Sequence, residues 1–416
     1  MASPSSSDPS LTPSLTPSDS PVKEPSPKPP LWTLTYVTYL LVNLGIYLGY
    51  NMLLPTLSLY LASQGCDKKT IGLVISCFAV SSIAARFTTH YFCERYGPIN
   101  VIKVGLALSA ISCLLYIMIP EILSYAIARL IYGAGYGFTS TLMISLAASV
   151  IPKTRFAEGL GLLGLGSTTS KALGPLLGLT LLSVFGAKIL FSSGAICYLL
   201  ALLISLTLPK TSLSDKKEPL SIISLFKTIK NTYKTSILVF FYGMGISSVT
   251  LFLAIYCSEE GIPQVAHYYF VFSTIGLIFT RFVSGRLYDR HGPSLVIPPA
   301  AMLLLISFLI ILDSANPTMY FVAAIIYGLG SGSLFPNLQV LTLAPIPRHQ
   351  RTLSAAVFLN SCDLGVSVGS MFFGFLAHVY GSFAEAYLWG AINMAIILIL
   401  YFVFFHLTNP ANPQGD

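Results

Sequence analysis

The sequence is short of charge. Of 416 residues only 9% are Asp, Glu, Lys or Arg, against about 25% in an average soluble domain. That deficit excludes a chain of soluble domains and points to a polytopic membrane protein. Histidine is scarce as well. His90, His267, His291, His349, His378 and His406 are dispersed, and neither HExxH nor HxxxH joins them. The clustered acid, base or metal set that a membrane enzyme needs is therefore missing, so no catalytic residue and no metal site is expected. No GxxxxGK[ST] loop is present, which removes direct ATP drive. The seven cysteines form no CxxC pair and sit mostly in apolar stretches, where they read as small packing residues.

What is abundant is apolar. Hydrophobic residues make up 54% of the chain. From Trp32 onward they fall into twelve stretches, from 34–60 to 383–406, each long enough to cross about 30 Å of hydrocarbon as a helix. Two polar segments frame a division. Residues 1–31 are dominated by Ser and Pro, bury too little to offset ordering, and read as a disordered cytoplasmic tail. Residues 209–234 form the longest connector. Leu220, Ile223, Phe226 and Ile229 fall there near helical spacing, which predicts a short amphipathic helix on the membrane surface. The expected organisation is thus an N-terminal six-helix bundle (32–208), the connector, a C-terminal bundle (235–406) and a short tail (407–416).

The net charge of +7 does not mark a nucleic-acid binder, because the basic residues lie in short loops between apolar stretches. They are also unevenly placed. With a cytoplasmic N-terminus, sixteen Lys and Arg fall on the inside and three, Lys68, Lys69 and Lys188, on the outside. This bias places both termini in the cytoplasm of a plasma (bacterial inner) membrane protein.

The two bundles repeat each other. At a shift of 195 residues, "RFTTHYFCERYGPINVI" (86–102) meets "RFVSGRLYDRHGPSLVI" (281–297) with seven of 17 identical. "YAIARLIYGAGYG" (125–137) meets "YFVAAIIYGLGSG" (320–332) with seven of 13, and Gly174 meets Gly369. Six spans is an even number, so both copies keep the same orientation. Duplicated bundles with a site at their interface are a transporter architecture.

These motifs resemble those of the major facilitator superfamily. "GRLYDRHG" (285–292) is similar to its loop between spans eight and nine, and "ERYGP" (94–98) to the degenerate copy between spans two and three. "RLIYGAGYG" (129–137) resembles its fourth-span motif, and "ALGPLLG" (172–178) the fifth-span motif associated with antiporters. Within the superfamily the chain looks most like drug–proton antiporters and exporters of small metal-chelating metabolites. The resemblance implies an all-α fold of twelve membrane helices, a proton gradient as driving force without a cofactor, a small-molecule substrate and a monomer in the bilayer. The first span departs from the drug exporters: it carries Asn43 and Asn51 and no acid.

Few side chains in the spans can handle ions. Asp363 is the one carboxylate deep in a span, and Arg129 and Lys171 are intramembrane cations. A charge near the midplane costs roughly 2.5–3.5 kcal/mol on insertion scales, so such groups are kept for function by default. Asp363 is the candidate for proton coupling. Arg129 and Lys171 are candidates for an anionic or zwitterionic substrate, each with a packing or snorkelling alternative. At the shift of 195, Asp363 falls on Thr168, one turn from Lys171, which predicts similar depths for the two. Asn43, Tyr47, Asn51, Tyr132, Asn337, Gln339 and Asn360 are further cavity candidates. Glu94, Arg95 and Gly97, with Gly285, Arg286, Asp289, Arg290 and Gly292, form a candidate cytoplasmic gate. Gly174, Pro175 and Gly178 permit a bend in span five. Arg86 and Arg281, near the same cytoplasmic ends, read as snorkelling or loop-anchoring residues. The fifth-span motif favours export; import of a small organic anion by symport is the alternative, ahead of a channel.

The orientation is open to test through Cys66, which it places in an outer loop. With the other cysteines replaced, a membrane-impermeant thiol reagent is expected to label Cys66 in intact cells. Labelling that requires permeabilised cells would reverse the topology.

Overall fold

A backbone that crosses hydrocarbon must bond its own N–H and C=O groups, so long apolar stretches become helices. The computed structural model describes residues 31–118, 121–152, 155–209, 222–314, 316–346 and 351–407. The N-terminal segment before Leu31, residues 210–221 of the connector and the tail from 408 lie outside that set. The first bundle contains α1 (Leu34–Ser63), α2 (Lys68–Tyr96), α3 (Pro98–Met118) and α4 (Ile122–Val150). The run Phe156–Ser205 then turns at Gly186, whose φ of 82° breaks the helical path. It crosses twice, as α5 (Leu162–Phe185) and α6 (Ala187–Ser205). The second bundle contains α7 (Ile222–Glu259), α8 (Pro263–His291), α9 (Ile297–Asp313), α10 (Pro317–Leu343), α11 (Arg351–Tyr380) and α12 (Ala384–Phe402). Among the described residues, twelve helices are long and apolar enough to span a membrane. No strand occurs among the described residues.

The connector differs from its expected form. Ile223, Phe226 and Ile229 belong to the first turns of α7, which runs unbroken from Ile222 to Glu259. Leu220 lies outside the described residues. An apolar periodicity near a span continues the span as readily as it forms a separate surface helix.

Helix ends follow local chemistry. Thr33 caps α1 by accepting from Tyr36 N at 3.2 Å. Asp67 caps α2 by accepting from Thr70 N at 3.1 Å, and hydrogen bonding from Thr70, its side chain first and its backbone N–H second, holds the Asp67 carboxyl below the usual range. The duplicated Gly-Pro works as a paired stop and start. Gly97 and Gly292 take φ of 81° and 77° at the ends of α2 and α8, where a side chain would be strained. Pro98 and Pro293 follow and cannot continue the helix.

The repeat is visible in the packing. In the first bundle Gly133 of α4 lies against the Phe78 carbonyl of α2; in the second Gly328 of α10 lies against the Ser273 carbonyl of α8. Gly135 meets Gly105, and Gly330 meets Ala300 in the same relation. The Gly-rich runs are therefore close helix crossings, as small residues in membranes commonly are. Gly174 and Gly178 bring α5 onto α1: an added Cβ would stand 2.6 Å from Asn51 Cβ and 2.9 Å from the Thr56 methyl, respectively. The sharp backbone turn of this run falls at Gly186, while Pro175 lies inside the helix. The halves meet along α2–α11, α1–α7 and the Phe156–Ser205 run against α8.

Gly133→Val and Gly328→Val should each lower the unfolding midpoint in detergent, by the equivalent of roughly 1–3 kcal/mol or more. A midpoint equal to wild type would mean that these crossings are not close-packed.

Candidate functional site

The seam between α2 and α11 carries a run of polar bonds between the two halves. It starts at the ends near Lys68. Lys68 Nζ pairs with Glu259 of α7 at 2.7 Å. It also donates to the Gly381 carbonyl at 2.8 Å and stands 4.8 Å from the Phe383 ring centre. One lysine of the first half is thus gripped by three groups of the second. Further along, Ser370 Oγ donates to Gly72 O at 3.2 Å and Ser367 Oγ to Ser76 O at 2.8 Å. Ser58 of α1 donates to the Leu251 carbonyl of α7. Small residues on both helices make this approach possible.

At mid-span the seam ends in a charge pair. Arg86 Nη1 lies 2.6 Å from Asp363 Oδ2, with side chains 2% and 16% exposed. The same nitrogen donates to Asn360 Oδ1 at 3.1 Å, and Ser82 Oγ donates to Asp363 Oδ2 at 3.4 Å. Arg86 therefore does not snorkel. It lies about 15 Å before Tyr96 at 1.5 Å per residue, too deep for its side chain to reach the helix end. A carboxylate in the facing helix keeps it inside. The clue in the sequence was its depth; its likeness to the loop motif beside it hid the role. The Arg281 side chain lies outside what is described.

Arg129 approaches Asp363 from the first half. It is 2% exposed and faces the Phe78 and Tyr132 rings at 5.1 and 5.8 Å. Arg129 and Asp363 line one cavity of ≈ 10 Å³, closed on its other sides by Tyr50, Phe78 and Ser367. That is about the space of one water.

Lys171 sits elsewhere on the inter-half surface. On α5 it shares a face with Gly174, which packs against Asn51 of α1. Leu173 and Leu177 are exposed about half a turn away. Lys171 Nζ stands 5.8 Å from the ring centre of Phe335 on α10, in the other half. It is within electrostatic reach of Cys362, the neighbour of Asp363. Phe335 continues into an aromatic wall with Tyr242 and Phe358, at 5.6 and 5.3 Å.

The remaining candidates divide. Asn360 joins the site, and Tyr47 borders it, edge-on to Tyr136 at 6.3 Å. Asn43 instead ties α1 to α5 through the Leu163 carbonyl at 3.2 Å. Tyr132 bonds Tyr198 inside the first half at 2.6 Å. Asn51 and Asn337 bond carbonyls of their own helices at 2.7 and 2.6 Å. Gln339 is half-buried on α10. At the opposite end, Glu94, Arg95, Gly285, Arg286, Asp289 and Arg290 are exposed. Arg95 contacts Tyr91 and the Tyr96 ring of its own helix. Among the described residues no group of His, Cys, Asp and Glu is placed to hold a metal ion.

Two bundles related by a repeat, with a buried ion pair bridging them between apolar helices, form the frame of a carrier. A profile of the Major Facilitator Superfamily matches residues 39–370 and 235–416. The chain belongs to the major facilitator superfamily. It is a multi-pass membrane transporter, not an enzyme. It is 25% identical over 385 residues to an uncharacterised MFS-type transporter of Methanocaldococcus jannaschii, covering 90% of this chain and 96% of that protein. It is 22% identical over 352 residues to the staphylopine export protein of Staphylococcus aureus, covering 82% and 88%. Its fold matches a crystal structure of the nucleoside transporter NupG with a TM-score of 0.72 at 15% identity, over 91% of this chain and 100% of that one.

Removing one member of the buried pair leaves the other charge without compensation, at a cost of about 3–5 kcal/mol. Arg86→Gln alone should lower stability in detergent by about that amount, and Arg86→Gln with Asp363→Asn should recover most of it. A double variant no more stable than the single one would show that the two charges are not coupled.

Proposed function

We propose that this transporter is a proton-coupled exporter of small anionic or zwitterionic organic molecules, working by alternating access as a monomer. The observation that carries this reading is the Arg86–Asp363 pair at 2.6 Å between the two halves. A bond that joins the halves at mid-membrane must break when they exchange access. Its carboxylate can be neutralised by a proton, which weakens the attachment of α11 to α2. Asp363 is thus the proton carrier, and no cofactor is required beyond the proton gradient.

The Lys and Arg bias puts the Lys68 end outside and the Glu94 end in the cytoplasm of a plasma membrane. In that orientation the bonded seam from Lys68 to Arg86 seals the outer side, and the exposed loop charges lie on the cytoplasmic side. A molecule sealed on its outer side is set to load from the cytoplasm. Glu94–Arg95 and Asp289–Arg290 are then the groups that engage when the inner side closes. Lys171, exposed toward the second half, draws a negative group into the cavity. Similarity to an export protein supports the outward direction.

In energised vesicles Asp363→Asn should abolish pH-driven transport, while exchange at saturating substrate persists. Intact pH drive in that variant would remove Asp363 from coupling. Comparing metabolites of medium and cytosol for wild type and Lys171→Ala, in a strain depleted of its own exporters, identifies the substrate class. Accelerated loss of a nutrient from the medium would instead make the protein an importer.

A further inference from the structure

Three side chains at the inner end of the seam lack the same thing. Arg86 Nε, Arg129 Nε and Asn360 Nδ2 are buried donors without a hydrogen-bond partner, in residues 5%, 2% and 6% exposed. The large majority of buried polar groups are bonded. All three of these want an acceptor. One carboxylate serves the neighbourhood, and the bonds from Arg86 and Ser82 both fall on its Oδ2. An anionic group is the strongest acceptor for donors of this kind.

An anion alone leaves a difficulty. If a ligand carboxylate takes Arg86, Asp363 loses its cation while only 16% of its side chain is exposed. Asp363 must then take a proton or another cation. If it takes a proton, anion and proton favour each other's binding, and reciprocal coupling carries both in one direction. If the ligand brings its own cation, that cation competes with the proton for Asp363. Competition for one site is what transport in opposite directions requires. A ligand with both charges satisfies both members of the pair at once.

We propose that the Arg86–Asp363 pair is the substrate site and takes an amino-carboxylate zwitterion, its carboxylate on Arg86 and Asn360 and its ammonium on Asp363. This rests on the reading of the chain as a proton-coupled exporter and assigns the ligand class to that site. Arg86 offers its Nε edge for a two-point grip on a carboxylate, and Asn360 Nδ2 adds a third donor. Binding replaces the inter-half bond with two bonds to the ligand, so loading and loosening of the outer seam are one event. A proton arriving at Asp363 displaces the ammonium and empties the site.

The test uses inside-out membrane vesicles carrying the full chain and energised to an acidic interior. The probes are water-soluble metabolites of the source cell, separated by ion exchange into zwitterionic, acidic and basic fractions. The zwitterionic fraction should discharge the pH gradient. Asn360→Asp, which sets a second carboxylate against that of the ligand, should raise the half-saturating amount about ten-fold or more with the fold intact. Discharge by the acidic or the basic fraction in place of the zwitterionic one would overturn the ligand class and leave proton-coupled export standing. So would an Asn360→Asp variant that responds like wild type. Discharge by no fraction would remove the proton-coupled reading together with the zwitterion.

Discussion

A charge between apolar helices must find an opposite charge, and Asp363 finds one in the other half of the molecule. Much of the architecture serves that bond at 2.6 Å. For α2 and α11 to come so close, their facing residues must be small, and Gly72, Ser76, Ser367, Ser370 and Gly374 are. Gly72 and Gly374 lie against the backbone of the facing helix. The Ser367 and Ser370 hydroxyls bond facing carbonyls, so the stretch between the two end charges is polar without being charged.

The same pair gives the halves a reason to stay together and a means to part. Hydrophobic association is weak between helices in lipid, where the tails are as apolar as the side chains. Specific polar bonds then decide which faces meet. Lys68 closes one end of the seam through three contacts, and Arg86 closes the other. Each is a discrete interaction with a bonded and an open arrangement. Two bundles joined by discrete contacts suit the alternating access proposed above.

Within each half the packing is different in kind. Glycines in α4 and α10 lie on the backbones of α2 and α8, and the contacts repeat from one half to the other. Such crossings have no alternative arrangement and make each bundle rigid. Asn43 and Tyr132 belong to this interior and hold helices of one half together. Their polarity marked them as candidates for the cavity, but polarity does not reveal which side of a helix faces the partner bundle.

The twelve spans, the division into two related bundles and the family were all legible in the chain, because each rests on properties that add along a sequence. Apolar length sets a span, and repeated motifs set the duplication. That Asp363 needs a partner was legible too, since an isolated carboxylate in a long apolar stretch demands one. Which partner was not. Repeat arithmetic gave Lys171 and Asp363 similar depths because it aligns equivalent helices, α5 and α11, whereas the ion pair is made between non-equivalent ones, α2 and α11. Arg86 lies far from Asp363 in the chain, and only the docking of the two bundles brings their side chains together. The sequence by itself determined what the helices are and that a charge must be matched. The tertiary structure decided which charge matches it, because pairing across an interface depends on helix rotation and depth in two bundles at once.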